Sequence, residues 1–511
     1  MLLLNILLSC GSSDNPSSAD ADLVNPEDPL VTWLSRASVD LRGRRLSSNE
    51  LTQIAQNPEL ADSMLDEMLD DPALPEQIAW AWNDVFHTAM WAPQYDRFGG
   101  WEFETWKALG WEPMAAIALL VENDQAYTDL VTLTELPLHP KTAELWELES
   151  AQSDWHWAPP GDERPMAGLL SSRVLWMRYT ADTFNFNRQR ASALSKMFLC
   201  ADFLDRDGTF EFNALADSLA NVEEAIRTEP GCISCHSALD PLAAFFGGFS
   251  ELSTDLLLVP YTSYSSVNAR WASALQSKAY FGQPGETFSD LGDFVAADPR
   301  FTQCAVETLM QGFLGTKPVR DHTFWSVYAD FQDSGFQLKA LAKSIVKSNL
   351  YQDTEPRLLR AHQFHSVLAA VADAEEGTDT DGLGPLKWSW RHRLLYGEGD
   401  DVNILEPSKS VGVSTLLMTE WASREMAQRV ASAIGSDEPL VALVVDDSEA
   451  SARQQISHWM RVMLNLPVEN TDSQVDALVT LWKSAGGADD LELAYGTVMA
   501  ALVRHPEMVL K

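Results

Sequence analysis

The sequence predicts a mainly α-helical protein made of several helical-bundle domains, and three observations predict it. Apolar residues recur at helical spacing over most of the chain, strand-like alternation is rare, and one plan of helix, breaker, helix, helix returns at three places. The clearest copy spans residues 302–351. Val306, Leu309, Met310 and Phe313 form a stripe on a helix of residues 302–314, Gly315-Thr-Lys-Pro318 breaks it, and Leu338, Leu341, Ile345 and Val346 form the next stripe. Residues 456–508 repeat the plan with Ile456, Trp459, Met460 and Met463, then Leu466-Pro467, then Leu491, Tyr495, Val498, Met499 and Leu502 ahead of His505-Pro506. A weaker third copy covers residues 33–72, with Leu41-Arg-Gly43 as breaker, Ser47-Ser-Asn-Glu50 as a capping box and Pro72 as terminator.

With 511 residues, 46% of them apolar, the chain can bury large cores and divides into roughly three domains at about 150 residues each. Lys plus Arg number 36 against 74 Asp plus Glu, a formal charge of -38. A surface of that sign repels phosphate backbones and anionic headgroups, which argues against nucleic-acid binding and against membrane binding through a basic patch. Basic proteins and cations are the better partners. The 18 Trp residues are read as core, where large aromatic side chains bury most area.

Residues 231–241 read Gly231-Cys232-Ile-Ser-Cys235-His236-Ser-Ala-Leu-Asp240-Pro241. Cys-x-x-Cys-His is the attachment pattern of c-type haem. Two thiols three residues apart lie on nearly one side of a helical turn and can add across the two vinyl groups of a porphyrin. The adjacent imidazole then reaches the iron from the proximal side, and covalent capture keeps the cofactor from being lost outside the cell. A zinc half-site would need a second cysteine pair, which the sequence lacks. A thioredoxin-like pair would need a strand before it and a long helix after it, whereas Glu229-Pro230-Gly231 before and Pro241 after predict a short helical turn bounded by breakers. The expected cofactor is one covalent haem c, with Cys232 and Cys235 as thioether links and His236 as the proximal iron ligand. Met310 is a candidate for the distal position. Met197 and Met177 are comparable, and an open or water-ligated iron is the alternative.

Residues 1–10, Met1-Leu-Leu-Leu-Asn-Ile-Leu-Leu-Ser-Cys10, have the layout of a bacterial lipoprotein signal that ends at a lipidated Cys10, although no Lys or Arg precedes the apolar run. Residues 11–27, rich in Ser and acidic residues, have too little apolar content to fold and serve as a tether. The expected site is the cell envelope, at the periplasmic or outer-membrane face. Of the five cysteines, Cys10 and the haem pair leave two. In an exported chain an even remainder favours a disulfide, Cys200–Cys304, the alternative being buried free thiols. Composition shifts set the remaining boundaries: an N-terminal helical domain at 28–155, a loop at 155–165, a haem-binding helical domain at 166–355, a helix and acidic linker at 356–385, and a C-terminal helical domain at 386–511.

The segment Cys232-Ile-Ser-Cys-His-Ser-Ala-Leu-Asp-Pro-Leu-Ala243 resembles the haem segment of planctomycete-type cytochrome c domain proteins, in which Cys-x-x-Cys-His is followed by a short spacer and Asp-Pro-Leu/Ile-Gly. Asn187-Arg-Gln-Arg-Ala-Ser-Ala-Leu-Ser-Lys-Met-Phe-Leu-Cys200 and Asp298-Pro-Arg-Phe-Thr-Gln-Cys304 are similar to flanking domains of unknown function in those proteins, and residues 35–82 are similar to their N-terminal domain. Ala243 stands where the family usually has Gly, and the likeness extends to about residue 365. The resemblance implies an exported, largely helical haem protein associated with secreted partners, with no settled reaction.

Other constellations are set aside. Asp205-Arg-Asp207-Gly208 sits in a twelve-residue calcium-loop frame only with Phe203 and Ala214 at its ends, both of the wrong type, and Asp379-Thr-Asp381-Gly382 fails the same frame. His362, His365 and His156 are read as surface or capping histidines. Tyr396-Gly-Glu-Gly-Asp400-Asp401 lacks the Lys and glycine pattern that cradles phosphate. The expected function is a lipid-anchored monohaem c-type cytochrome, an electron carrier rather than a catalyst, working with a basic redox partner protein. The alternatives are a haem enzyme, peroxidase-like or the electron-accepting subunit of a secreted oxidoreductase, and a non-redox surface scaffold.

Overall fold

The computed structural model describes residues 28–92, 102–150, 152–180, 186–203, 228–249, 277–353, 355–372, 382–466 and 468–511, and the isolated residues 224, 226 and 264. Cys10 with its signal and tether, the Asp205-Arg-Asp207-Gly208 sequence and residues 373–381 of the acidic linker lie outside the described residues.

Helices carry the fold. They run α1 (Pro29–Arg42), α2 (Ser48–Gln56), α3 (Ala61–Leu69), α4 (Leu74–Phe86), α5 (Phe103–Glu122), α6 (Arg188–Leu199), α7 (Pro230–Ala243) and α8 (Phe288–Ala297). Then come α9 (Pro299–Leu314), α10 (His322–Asp333), α11 (Leu338–Lys347), α12 (Ala361–Val371), α13 (Val413–Ala433), α14 (Glu449–Leu464), α15 (Ser473–Ser484) and α16 (Leu491–Val503), with shorter helical turns between them. Among the described residues the named strands form two antiparallel ribbons, β1 (Leu136–Leu138) with β2 (His156–Ala158) and β3 (Ala279–Tyr280) with β4 (Gln283–Pro284). The 155–165 segment is therefore not entirely loop, because His156–Ala158 finds a partner twenty residues upstream.

Local signals set the helix ends. The Asp28 carboxylate accepts from the Leu30 amide at 2.9 Å to open α1, and Gly43 closes it in the left-handed region at φ 68°. The positive φ is what favours glycine there; a Cβ would also meet Gln77 Nε2 at 2.7 Å, the movable end of a side chain. At α2 the Ser47–Glu50 capping box forms in both directions, 3.2 Å and 2.7 Å. Asp298 caps α9 and Gly315 ends it at φ 70°, which makes the helix three residues longer at its start than the apolar stripe alone predicts.

Burial divides the chain between two large cores. The first unites α1–α11: Leu34, Leu51, Ile78, Trp82, Ile117, Leu194, Phe246, Leu309 and Leu341 belong to one contiguous cluster that includes residues from both sides of the 155–165 segment. The second joins Leu359, Phe364, Val430, Ile456, Trp459 and Tyr495, and Val39 of α1 reaches into it. Between them lies a buried ionic seam. Asp40 of α1 accepts from Tyr351 Oη at 2.7 Å, Gln363 Nε2 at 3.0 Å and Arg357 at 3.2 Å, and pairs with the Lys511 ammonium. Burial opposes its ionisation, yet Lys511 and Arg357 outweigh that and hold the Asp40 carboxyl below its ordinary range. Arg360 bridges Asp84 at 2.7 Å and Glu398 at 2.8 Å, and Asp401 accepts from the Met90 amide at 2.7 Å. The Tyr396–Asp401 segment thus works as a staple between α4 and the second core.

Cys200, just past α6, and Cys304, within α9, form a disulfide with a Cα–Cα distance of 5.3 Å and a sequence separation of 104. A crosslink closing a loop of that length restricts the unfolded chain strongly. Changing both cysteines to alanine is expected to lower unfolding stability by about 2–5 kcal/mol. Urea denaturation of the two proteins checks this, and equal midpoints would refute it.

Candidate functional site

The Cys-x-x-Cys-His segment forms the first turns of α7. Pro230 occupies the opening position, where its missing N–H costs nothing, and the Ile233 amide donates to the Glu229 carbonyl at 2.9 Å. The sequence predicts that the helix stops at Pro241, and here the structure differs: α7 continues to Ala243. Proline in the last turn removes one backbone donor, and burial of Leu239, Leu242 and Ala243 in the first core outweighs that loss.

Because the helix is continuous, residues 232, 235, 236, 239 and 240 share one stripe. Cys232, Cys235 and His236 are half-buried along it, Leu239 and Asp240 are buried, and Ile233, Ser234 and Ser237 face solvent. Both thiols are free, unlike the Cys200–Cys304 pair. The Cys235 thiol donates to the Phe203 carbonyl at 3.5 Å. The imidazole of His236 is held at Nδ1, 2.8 Å from Asp240 Oδ1 one turn along. Asp240 in turn receives a two-point clamp from Arg188, with Nε to Oδ1 at 2.6 Å and the terminal nitrogen to Oδ2 at 2.9 Å. Burial works against the Asp240 charge, but Arg188 and His236 overcome it and hold the carboxyl below its usual range.

Helix α6 carries the clamp, and long-range contacts fix where it starts. Asn187, left-handed at φ 63°, donates through Nδ2 to the Phe246 carbonyl at 3.3 Å and accepts from the fully buried Arg190 at 3.0 Å. Phe246 packs edge-on against Trp176 with ring centres 4.8 Å apart. The disulfide holds the far end of α6 to α9.

These residues fit a c-type haem. The two thiols and the imidazole share the inward-facing side of one helix, and engaging Nδ1 leaves Nε2 as the nitrogen able to bind a metal. Among the described residues no group of three or more His, Cys, Asp or Glu side chains is placed to hold a metal ion.

The distal candidates are spread through the interior. Met310 is fully buried on α9, which packs chiefly on α4 and α6, not on α7. Met177 sits in a small separate cluster with Trp91, Trp106 and Trp146. Met197 lies on α6, the helix packed most extensively against α7.

The histidines of α12 are a correction to the sequence reading. His362 and His365 are buried, not at the surface or at a helix cap. His362 stacks on Trp80 at 4.6 Å and 12°, with Arg393 over the same indole at 4.5 Å. Burial, with Arg393 and Arg360 nearby, pushes the His362 imidazole well below the usual histidine range. Its helix is wedged against the ionic seam, which periodicity cannot reveal. His156 is half-buried on β2, with its Nδ1 3.0 Å from the Asp154 carbonyl.

Sequence reasoning missed the partners of His236. Asp240 is four residues on, an ordinary helical neighbour, but reading Pro241 as a stop hid the spacing. Arg188, which holds Asp240, is 52 residues upstream of it, and no sequence signal links the two. None of the family models, curated proteins or solved structures compared with the chain matches it. Among the described residues no helix is long and apolar enough to cross a membrane.

Proposed function

We propose that this protein is a monohaem c-type cytochrome, lipid-anchored through Cys10 to the bacterial cell envelope, that carries single electrons between partner proteins. The observation that carries the reading is the stripe on α7, two free half-buried thiols beside an imidazole whose second nitrogen is already engaged. A bound haem would supply a one-electron iron couple. Cys232 and Cys235 would hold it by adding S–H across its two vinyl groups, sulfur to one carbon and hydrogen to the other. His236 would offer Nε2 on the proximal side, and Met197, Met310 or Met177 remain the distal candidates. The resemblance of residues 232–243 to planctomycete-type cytochrome c proteins supports the same conclusion. A charge of -38 favours a basic redox partner and disfavours nucleic acid.

The test is a pyridine-haemochrome assay with intact mass on protein exported in a host that has the haem-attachment machinery. The expected result is one covalent haem per chain. A mass equal to that of the polypeptide and its lipid, with no Soret absorption, overturns the proposal.

A further inference from the structure

We propose that Asp240, clamped by Arg188, is the positioning residue that sets the redox balance of this site by fixing the hydrogen-bonding state of His236. The inference rests on the haem reading above and deepens it.

The argument starts from the imidazole. Its Nδ1 lies 2.8 Å from one oxygen of a buried carboxylate whose two oxygens each accept from the Arg188 guanidinium. A carboxylate is acceptor-only, so Nδ1 must be the protonated, donating nitrogen, and Nε2 keeps its lone pair for a metal. A carboxylate acceptor makes the ring a more electron-rich ligand than a backbone carbonyl would, and such a ligand favours the ferric over the ferrous state. Arg188 has two effects. Its fork holds the carboxylate at a fixed angle to the ring, and its positive charge draws electron density off Asp240, which moderates the pull on Nδ1–H. The pair therefore acts in opposite senses: Asp240 lowers the potential and Arg188 restrains it. Because Asn187 and the Cys200–Cys304 bond anchor α6 at both ends, the clamp is set by the body of the protein and not by the helix that carries the haem ligand.

Opposite signs make the test decisive. Redox titration of haem-loaded Asp240→Asn is expected to shift the ferric-to-ferrous equilibrium toward ferrous by about tenfold or more, a rise of about 59 mV for one electron. Haem-loaded Arg188→Gln is expected to shift it the other way. Asp240→Glu, which restores a carboxylate, should recover part of the wild-type value. A purely structural role would loosen the site in both variants and move both potentials in one direction, so shifts of the same sign, or no shift in Asp240→Asn, overturn the inference. Should Asp240→Asn fail to accumulate, Arg188→Gln decides alone, a fall supporting the inference and a rise or no change refuting it. Wild-type protein without covalent haem would instead sink the cytochrome reading itself, so the two failures are distinguishable.

Discussion

Protein exported with Cys232 and Cys235 both changed to serine is expected to carry no covalent haem and to keep its helical fold. Both thiols are half-buried at the start of α7 and neither belongs to the hydrophobic cores, so between the two haem-free chains the exchange of sulfur for oxygen should change stability by no more than about 0.5 kcal/mol. What disappears is the pair of carbon–sulfur bonds. Acid–acetone extraction separates the cases, because it removes haem held through iron alone and leaves haem held by thioether. The double variant should release all its haem, while each single variant retains one bond and so retains the chromophore. Circular dichroism and urea midpoints report whether the fold has survived. Thioether-bound haem in the double variant would place the attachment elsewhere and refute the assignment of these two residues.

The second large effect is expected at Glu398. Its carboxylate is buried among Arg360, at 2.8 Å through both Nε and a terminal nitrogen, Arg393 at 3.4 Å and the Ala361 amide at 2.7 Å. Removing it as Glu398→Ala leaves the buried Arg393 guanidinium without its ionic partner, which costs on the order of 3–5 kcal/mol. Arg360 keeps Asp84 and suffers less. The same geometry predicts a pH dependence. Burial raises the Glu398 carboxyl, but Arg360 and Arg393 more than reverse this and bring it down to about 2 from an ordinary 4.5. A carboxyl depressed by folding contributes stability that is fully present above its unfolded value and is lost as pH falls toward its folded value. The stability gap between wild type and Glu398→Gln, measured by urea denaturation, should therefore be constant above pH 4.5 and close as pH falls toward 2. A gap that stays unchanged across that window would show that the ion pairs contribute nothing to folding. Asp40, held low by Lys511 and Arg357, acts with the same sign.

How much of the molecule could be read in advance depends on the range of the interaction. The capping box at Ser47–Glu50 and the left-handed stops at Gly43 and Gly315 involve residues within four of each other, and each is visible as a short pattern. The stripes through Val306, Leu309 and Phe313 and through Leu338, Leu341 and Ile345 are visible for the same reason, since helical period alone places them on one face. The Cys200–Cys304 pair was accessible by a different route: counting cysteines narrowed the choice to two residues without any knowledge of their distance. Pro241 shows the limit of local rules. Read alone it ends a helix, but here the buried Leu242 and Ala243 carry the helix past it.

For the site, the division is sharp. Residue types and spacing alone determined that two thiols and an imidazole would lie together on one helical surface, because all three fall within five consecutive positions of a helix. They could not determine what holds the other side of the imidazole. That depended on α6 delivering Arg188 from 52 residues away onto Asp240, and on a left-handed Asn187 and a disulfide to fix α6. The burial of His362 against Trp80 and the meeting of Asp40 with Lys511 are of the same kind. Helix formation and helical facing are governed by neighbours within about one turn, so they are written in the order of the residues. The partner of a buried charge is chosen by which helices pack together, and that follows from the cooperative burial of the two cores as wholes.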